Sequence, residues 1–343
     1  MRIRAAIVEE TGGPFVIRHI DLAEPREDEI LVRLTAAGIC HTDLIMRKRW
    51  RDPLLPMVFG HEGAGVVEAT GPSVRTLAAG DSVCLSYWSC GTCGACLAGR
   101  SAYCALSALN MSGTRADGSS PLSSNGKPVF GNFFGQSSFA THVIATERNA
   151  VKVPASLPPV IAAPLGCSVQ TGAGTVLNVL DPEPGQSLIV FGAGSVGLSA
   201  VMAAVARQCV VTAVDPNTAR LALADELGAF PDISEKYDYA IDTTGRPDVI
   251  SRALHRLHRQ GTLALVGIGG TAELDIMTVM AGGLTVRGVI EGDAVPAAFI
   301  PHLIDLGLPV DKLITEYPFD AIEDAAHDAA AGRVVKAVLT FPS

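Results

Sequence analysis

Cys90, Cys93 and Cys96 stand three residues apart in Cys90-Gly-Thr-Cys93-Gly-Ala-Cys96, and Cys104 follows after seven intervening residues. Four thiolates this close along a chain can surround one tetrahedral ion, and the Gly and Ala between them let the backbone wrap it. A closed four-sulfur shell leaves no position for a substrate, so such an ion is structural; an iron–sulfur cluster or a redox dithiol are the rival readings. Three residues of related chemistry are scattered. They are Cys40 in Gly38-Ile-Cys40-His41-Thr42-Asp43, His61 in Gly60-His61-Glu62-Gly-Ala-Gly, and Cys167 in Pro164-Leu-Gly-Cys167-Ser. Each alone is unremarkable, since a single Cys is usually a small buried hydrophobe. Together they could supply two sulfurs and one nitrogen to a second zinc ion, leaving its fourth position open for water or substrate.

A second constellation is Gly192-Ala-Gly194-Ser195-Val196-Gly197. It follows the apolar strand-like run Leu188-Ile-Val-Phe and opens a helical pattern, which is the context that gives a GxGxxG its meaning. The first Gly permits the tight turn, the second lets a pyrophosphate approach the backbone, and the third lets helix and strand pack closely. The helix N-terminus presents free N–H groups to the phosphates. Asp215 ends the next strand-like run, 18 residues after Gly197. A carboxylate there accepts hydrogen bonds from ribose hydroxyls and repels a 2′-phosphate, which favours NAD over NADP, although Arg220 one helical turn on weakens the case slightly.

The elements that must position these groups follow two rhythms. Up to about residue 150, short alternating runs such as Ile30–Leu34, Gly65–Ala69 and Ser82–Ser86 lie between Gly, Pro and Asp, as strands and turns do. From about residue 187 a strand–helix alternation takes over: Leu188–Phe191, a helix over 197–206, Val210–Val214, a helix from Asn217 to Leu227 closed by Gly228, then strands at Tyr239, Leu263 and Leu284. This alternation predicts a parallel sheet covered on both faces. With 343 residues, two domains of ordinary size each have material for a core.

Bulk properties exclude several classes. Hydrophobic residues make up 48% and charged residues 18%, so the chain is globular. A net charge of −9 argues against a nucleic-acid partner. The N-terminus turns polar within a few residues and lacks the apolar core of a signal peptide, so no disulfide framework is expected for the eight cysteines and a cytoplasmic location is. Pro184–Ala206 carries no charge and is long enough to span a bilayer, but the nucleotide fingerprint interrupts it; no membrane association is expected.

On the Cys40-His41-Thr42-Asp43 segment, the Gly60-His61-Glu62-Gly-Ala-Gly segment, the four-cysteine lobe and the Gly192–Gly197 fingerprint, in that order, the chain resembles the zinc-containing medium-chain alcohol dehydrogenases along essentially its whole length. Within them it is most similar to the aryl-alcohol dehydrogenases, on Phe134-Gly-Gln-Ser-Ser-Phe-Ala, Glu147-Arg-Asn-Ala-Val-Lys-Val-Pro, Pro164-Leu-Gly-Cys and Glu291-Gly-Asp-Ala-Val-Pro. The resemblance implies an α/β protein: a GroES-like, mostly-β catalytic domain over 1–168 and 291–343 with a structural zinc lobe at about 88–105, and a doubly wound parallel-sheet Rossmann domain over 169–290 that binds NAD. It implies two zinc ions per chain, a catalytic one on Cys40, His61 and Cys167 and a structural one on Cys90, Cys93, Cys96 and Cys104. Thr42 would pass the alcohol proton outward, Asp43 would orient His61, and Glu62 would lie beside the metal and enter its sphere during exchange. Cofactor contacts would come from His41, Thr171, Gly192, Gly194, Ser195, Val196, Gly197, Asp215, Arg220, Val266 and Lys336. The implied reaction moves a hydride between a primary, aromatic or allylic alcohol and NAD, in a homo-oligomer (dimer or tetramer).

The chain also departs from that family. Ile45 stands where some members place a His that finishes the proton relay, and His41 stands where many place an Arg, which implies a looser grip on the cofactor pyrophosphate. Only ten residues, Ala229–Asp238, separate Gly228 from Tyr239, where relatives usually fit a strand and a helix, so one helix is expected to be missing. Phe133, Trp50, Tyr87 and Trp88 are candidate pocket walls. The rivals are a dehydrogenase of aliphatic or secondary alcohols, a zinc-free reductase of the same superfamily, and a non-catalytic protein that kept the fold; the zinc-free reductase would lack the Cys40, His61 and Cys167 set.

Overall fold

A computed structural model describes residues 1–231 and 235–342. The chain divides into two compact units, the first made of Met1–Cys167, Val295–Asp305 and Ile314–Ser343, the second of Ser168–Ala294 and Leu306–Leu313. The tail returns to the first unit from Val295, except for Leu306–Leu313; Ser168 and Glu291–Ala294, expected in the first domain, also belong with the second unit.

The first unit is built on two sheets. One runs Met57–Val58, Arg2–Val8, Val16–Leu22, Leu122–Ser124 and Lys127–Val129; the other runs Ala150–Lys152, Ser82–Leu85, Glu62–Thr70, Glu29–Gly38, Lys336–Thr340 and Ile314–Pro318, with His142–Thr146 also pairing with Glu29–Gly38. The expected runs Ile30–Leu34 and Gly65–Ala69 fall inside longer strands, and the run expected at Ser82–Ser86 is a strand over Ser82–Leu85. In Glu29–Gly38, Ile30, Val32 and Leu34 are buried on one face, while on the other Leu31 is also buried and Arg33 reaches Glu68 at the surface. For the site, the pairing that matters is the antiparallel one between Glu29–Gly38 and Glu62–Thr70, whose last rung sets Gly38 opposite Glu62. Two residues beyond Gly38 is Cys40, and one residue before Glu62 is His61. Register alone brings two residues 21 positions apart to the same sheet edge. Gly65 is required inside this pairing, because a Cβ there would lie 2.1 Å from the Arg33 carbonyl oxygen.

The helical run Pro159–Leu180 is long and apolar enough to cross a membrane, yet 83% of its most apolar window is buried inside the protein. It begins as a regular helix over Pro159–Pro164 and then widens over Leu165–Val169. Pro164 has no N–H to give and crowds the preceding turn, which is a recognised cause of such irregularity. Cys167 sits on the widened stretch.

The second unit carries a five-stranded parallel sheet in the order Val210–Val214, Ser187–Phe191, Tyr237–Asp242, Leu257–Leu265, Thr285–Gly288. Helices Ser195–Ala206, Thr218–Glu226, Pro247–His255 and Ile276–Gly282 connect its strands. Leu188, Ile189 and Val190 are wholly buried, as the continuous apolar run required, and each such side chain contributes about 1.5–3 kcal/mol on leaving water. The uncharged stretch from Pro184 thus divides into a strand and a helix. Asn217 starts the second helix by accepting from the Ala219 and Arg220 amides. In the shortened segment, Phe230 makes a single parallel bridge with Thr212, and Asp232–Ser234 lie outside the described residues. Among the described residues no helix separates Glu226 from Tyr237.

Candidate active site

Cys40 precedes the helix His41–Arg49 as its N-cap, and Asp43 sits buried in the first turn. The Asp43 carboxylate is the hub of the site. Oδ2 accepts from the Cys40 amide at 2.9 Å, and Oδ1 accepts from the Gly60 amide at 3.1 Å and lies 2.8 Å from His61 Nδ1. One buried carboxylate thereby ties both chain segments to one point. An ionised carboxylate at Nδ1 leaves the proton there and frees the Nε2 lone pair for a metal. The ligand atoms of Cys40, His61 and Cys167 all lie within 4.8 Å of one another, and His61 and Cys167 are buried. Two sulfurs and one imidazole nitrogen at that spacing fit one zinc ion with a position left open.

The electrostatics suit a cation. The Cys40 thiol is held well below its ordinary value by its hydrogen bond with Cys167, against burial and with help from His61 and Lys336. Burial opposes a charge on His61, but Asp43 and Cys40 together raise its pKa well above the usual imidazole value. A metal entering here must displace that proton, as ligand sites generally require.

An aromatic wall backs the imidazole. Phe134 stacks on His61 with ring centroids 4.5 Å apart, and Phe133 meets it edge-on at 5.6 Å. Trp50 and Phe59 continue the wall through T-shaped contacts with Phe133 at 5.8 and 5.3 Å. The loop that presents these rings is bent into left-handed backbone at Asn132, Phe134 and Ser137, conformations that cost about 1–3 kcal/mol each for such residues. Hydrogen bonds hold it there: Ser137 Oγ accepts from the Phe133 amide and donates to the Val58 carbonyl, and Gln136 Nε2 donates to the carbonyls of His61 and Ser86. Phe134 and Gln136 were visible in the sequence only as part of a resembling motif; nothing in their types announced contact with His61.

Other expected residues fall as follows. Thr42 Oγ1 lies 3.7 Å from Cys40 Sγ, at the mouth of the ligand cluster. His41 is exposed at the first turn of its helix. Lys336, expected among the cofactor contacts, is buried: Nζ donates to both Glu62 oxygens at 2.9 Å and to the Ile39 carbonyl at 3.1 Å. Burial works against its charge, but Glu62 together with the Cys40 and Cys167 sulfurs raises its pKa above the ordinary lysine value, while burial pushes the Glu62 carboxyl up against the pull of Lys336. Glu62 therefore reaches the site's edge already neutralised by a cation. The Tyr87 hydroxyl bonds Ser101 Oγ at 2.6 Å in the cysteine lobe, whereas Trp88 lines a different cavity of about 230 Å³ with Leu109, Arg115 and Ile144.

In the lobe the four sulfurs also lie within 4.8 Å of one another, Cys90 to Cys96 at 3.9 Å and Cys93 to Cys96 at 3.6 Å. A four-sulfur zinc tetrahedron with bonds of about 2.3 Å has edges of about 3.8 Å, so one ion fits without rearrangement. Amides of Thr92 and Cys93 point at Cys90 Sγ, and with the Thr92 hydroxyl they lower that thiol to about 5, ready as a thiolate.

In the second unit the fingerprint stands at the carboxyl end of the sheet. A Cβ on Gly197 would lie 1.8 Å from the Gly192 oxygen, so helix and turn need the hydrogen there; a Cβ on Gly194 would meet no atom of the described residues within 4 Å beyond its chain neighbours, which leaves the approach open. Ser195 Oγ is buried beside it, without a hydrogen-bond partner among the described residues, as a phosphate-facing hydroxyl would be before its ligand arrives. Asp215 accepts from the amides of Ala193 and Asn217 and lines a cavity of about 530 Å³ with Gly192, Arg220 and Arg246. Val266 is half-buried just past the strand Leu257–Leu265, its amide bonded to the Asp242 carbonyl, and Thr171 is half-buried near the start of Gln170–Gly174.

Residues 26–155 match the model of the alcohol dehydrogenase GroES-like domain, and residues 195–306 match that of the zinc-binding dehydrogenase. A geraniol dehydrogenase of Castellaniella defragrans is 42% identical, covering 98% of this chain and 97% of that relative. The crystal structure of an alcohol dehydrogenase zinc-binding domain protein from Burkholderia ambifaria superposes with a TM-score of 0.96 at 44% identity, and that of benzyl alcohol dehydrogenase from Acinetobacter calcoaceticus with 0.95 at 38%, each over 100% of both chains. With this coverage added to the two cysteine clusters, the chain belongs to the zinc-containing medium-chain alcohol dehydrogenase family.

Proposed function

We propose that the protein oxidises primary aromatic or allylic alcohols to aldehydes with NAD, reversibly, at the Cys40–His61–Cys167 centre. The observation that carries this reading is the convergence of those three ligand atoms within 4.8 Å beside an aromatic wall. When bound, zinc supplies Lewis acidity that lowers the pKa of an alcohol hydroxyl, and NAD supplies the hydride acceptor. The chain's own residues do the rest. Thr42 Oγ1, beside Cys40 Sγ, takes the hydrogen bond of the substrate hydroxyl and leads its proton away, and Ile45 in the relay position does not carry that proton further. Asp43 holds His61 in one tautomer. Phe134 stacks on His61 at the centre, and Phe133 and Trp50 pack behind it in the core, so flat apolar rings back the site and keep water out. Relatives named for geraniol and benzyl alcohol support this substrate class. Asp215 in the nucleotide cavity supports NAD over NADP, and eight free thiols suit a reducing, cytoplasmic compartment.

The same reading includes a homo-oligomer. Ile276, Met277 and Met280 are 70, 63 and 66% exposed near the edge strand Thr285–Gly288, with Ile268 and Ile290 also exposed. Unpaired strand edge beside apolar surface favours pairing with another copy.

Three outcomes follow. Across a panel of alcohols, NADH should form fastest with benzyl and allylic primary alcohols, and with NADP in place of NAD reduced cofactor (NADPH) should form about 100-fold slower; a preference for ethanol or secondary alcohols would favour the rival dehydrogenase. Asp43→Ala leaves the Cys40 and Gly60 amides and the His61 ring without their acceptor, so zinc at the catalytic centre should be lost to a chelator about 10–100-fold more readily while lobe zinc stays. Equal retention in variant and wild type would show that the carboxylate does not position the ligand. In sedimentation velocity the wild type should run as a dimer or tetramer and Ile276→Glu/Met280→Glu as a smaller species; a monomeric wild type would refute the assembly.

A further inference from the structure

Beyond the last strand of the second unit's sheet, Glu291, Gly292 and Asp293 adopt three consecutive left-handed conformations, with φ of 51°, 65° and 51°. Two of the three carry side chains for which this backbone is costly, and such strain persists only where the surroundings over-determine it. Here the surroundings are the segment Gln170–Leu180. Gln170 Nε2 donates to Glu291 Oε2 at 2.9 Å, Thr171 Oγ1 lies 3.4 Å from the same oxygen, and Asn178 Nδ2 donates to the Gly292 carbonyl at 3.0 Å. The backbones touch as well: a Cβ on Gly174 would lie 2.5 Å from the Gly292 oxygen, and one on Gly292 would lie 2.3 Å from the Gln170 oxygen. On the other side, Arg287 pairs with Asp293. The turn is clamped from both ends.

Sheet order says which part of a dinucleotide this clamp faces. Chain direction across the sheet reverses between Ser187–Phe191 and Tyr237–Asp242, and a dinucleotide straddles such a switch point at the carboxyl ends of the strands. The cavity beside the fingerprint is lined by Asp215 and Arg220 past Val210–Val214 and by Thr244, Arg246 and Arg252 past Tyr237–Asp242, and with Asp215 facing a ribose it takes the adenosine half. The other mononucleotide half then lies toward Leu257–Leu265 and Thr285–Gly288. Glu291 stands three residues past the end of the last of these.

We propose that Glu291 is a positioning residue for the nicotinamide half of the cofactor, fixing the Thr171 hydroxyl and the Gln170 side chain at that edge. The assignment rests on the reading that the chain binds NAD. It separates Glu291 from a merely structural turn residue, because a positioning role acts on one half of the ligand only.

The test is titration of zinc-loaded wild type, Glu291→Ala and Glu291→Gln with NADH and, separately, with ADP-ribose, which lacks the nicotinamide. Glu291→Ala should weaken NADH about tenfold or more and leave ADP-ribose within about twofold. Glu291→Gln keeps a carbonyl oxygen for the Gln170 amide and should restore most of the NADH affinity. Thr171→Ala should weaken NADH selectively, and adding Glu291→Ala to it should cost little more, as expected for groups acting as a unit. Parallel loss of both ligands, or no loss of either, in Glu291→Ala would overturn the proposal while leaving the alcohol dehydrogenase reading intact. Failure of the wild type to bind either ligand would instead overturn the reading on which it rests.

Discussion

The Asp43 carboxylate, buried and shared between two amides and one imidazole, is the constraint on which the site depends. An unpaired carboxylate in that position would be expensive to bury, so the three donors must converge wherever the chain is folded. That convergence fixes the Cys40 backbone, the Gly60 turn and the His61 ring together. Antiparallel register places Gly38 opposite Glu62 and so delivers both segments to the same edge; the carboxylate then sets their final geometry. Cys167 arrives separately, on a helix widened after Pro164. Three ligands from three segments form a site that exists only in the folded chain, which couples metal affinity to folding.

Around this hub the protein accepts local strain. The loop over residues 132–137 bends non-glycine residues into left-handed backbone and offsets that cost with the Ser137 and Gln136 hydrogen bonds and with a fully buried aromatic cluster. The return is a flat ring held 4.5 Å from the imidazole. A second concentration of left-handed residues, at 291–293, lies at the carboxyl edge of the parallel sheet. Strain is thus found at both places where ligands would meet rigid elements, as preorganisation requires.

Much of this was legible from residue types. The four-cysteine lobe and the glycine fingerprint announce themselves because few other arrangements need those residues at those spacings, and the buried parallel strands are apolar on both faces. Cys40, His61 and Cys167 were individually ambiguous and became a set only through the resembling segments that carry them. What stayed hidden shares one physical cause, namely dependence on partners distant in sequence. Lys336 enters only as a cofactor contact implied by resemblance, and its pairing with Glu62 spans 274 positions that no local pattern connects. Trp88 reads as a pocket wall, yet it turns toward Arg115 and Ile144. Phe134 owes its contact with His61 to a backbone conformation that propensity disfavours. Leu306–Leu313 interrupts the tail's return for reasons of packing that no local pattern displays.

The central claim is that Cys40, His61 and Cys167 hold one ion independently of the lobe. Native mass spectrometry of the wild type and of Cys167→Ser tests it most directly. The account predicts two zinc ions per wild-type chain, one for each ligand cluster, and one in the variant, retained by the lobe, with alcohol oxidation lost. A Cys167→Ser protein that keeps both ions and its activity, or a wild type that never holds more than the lobe ion, would contradict it.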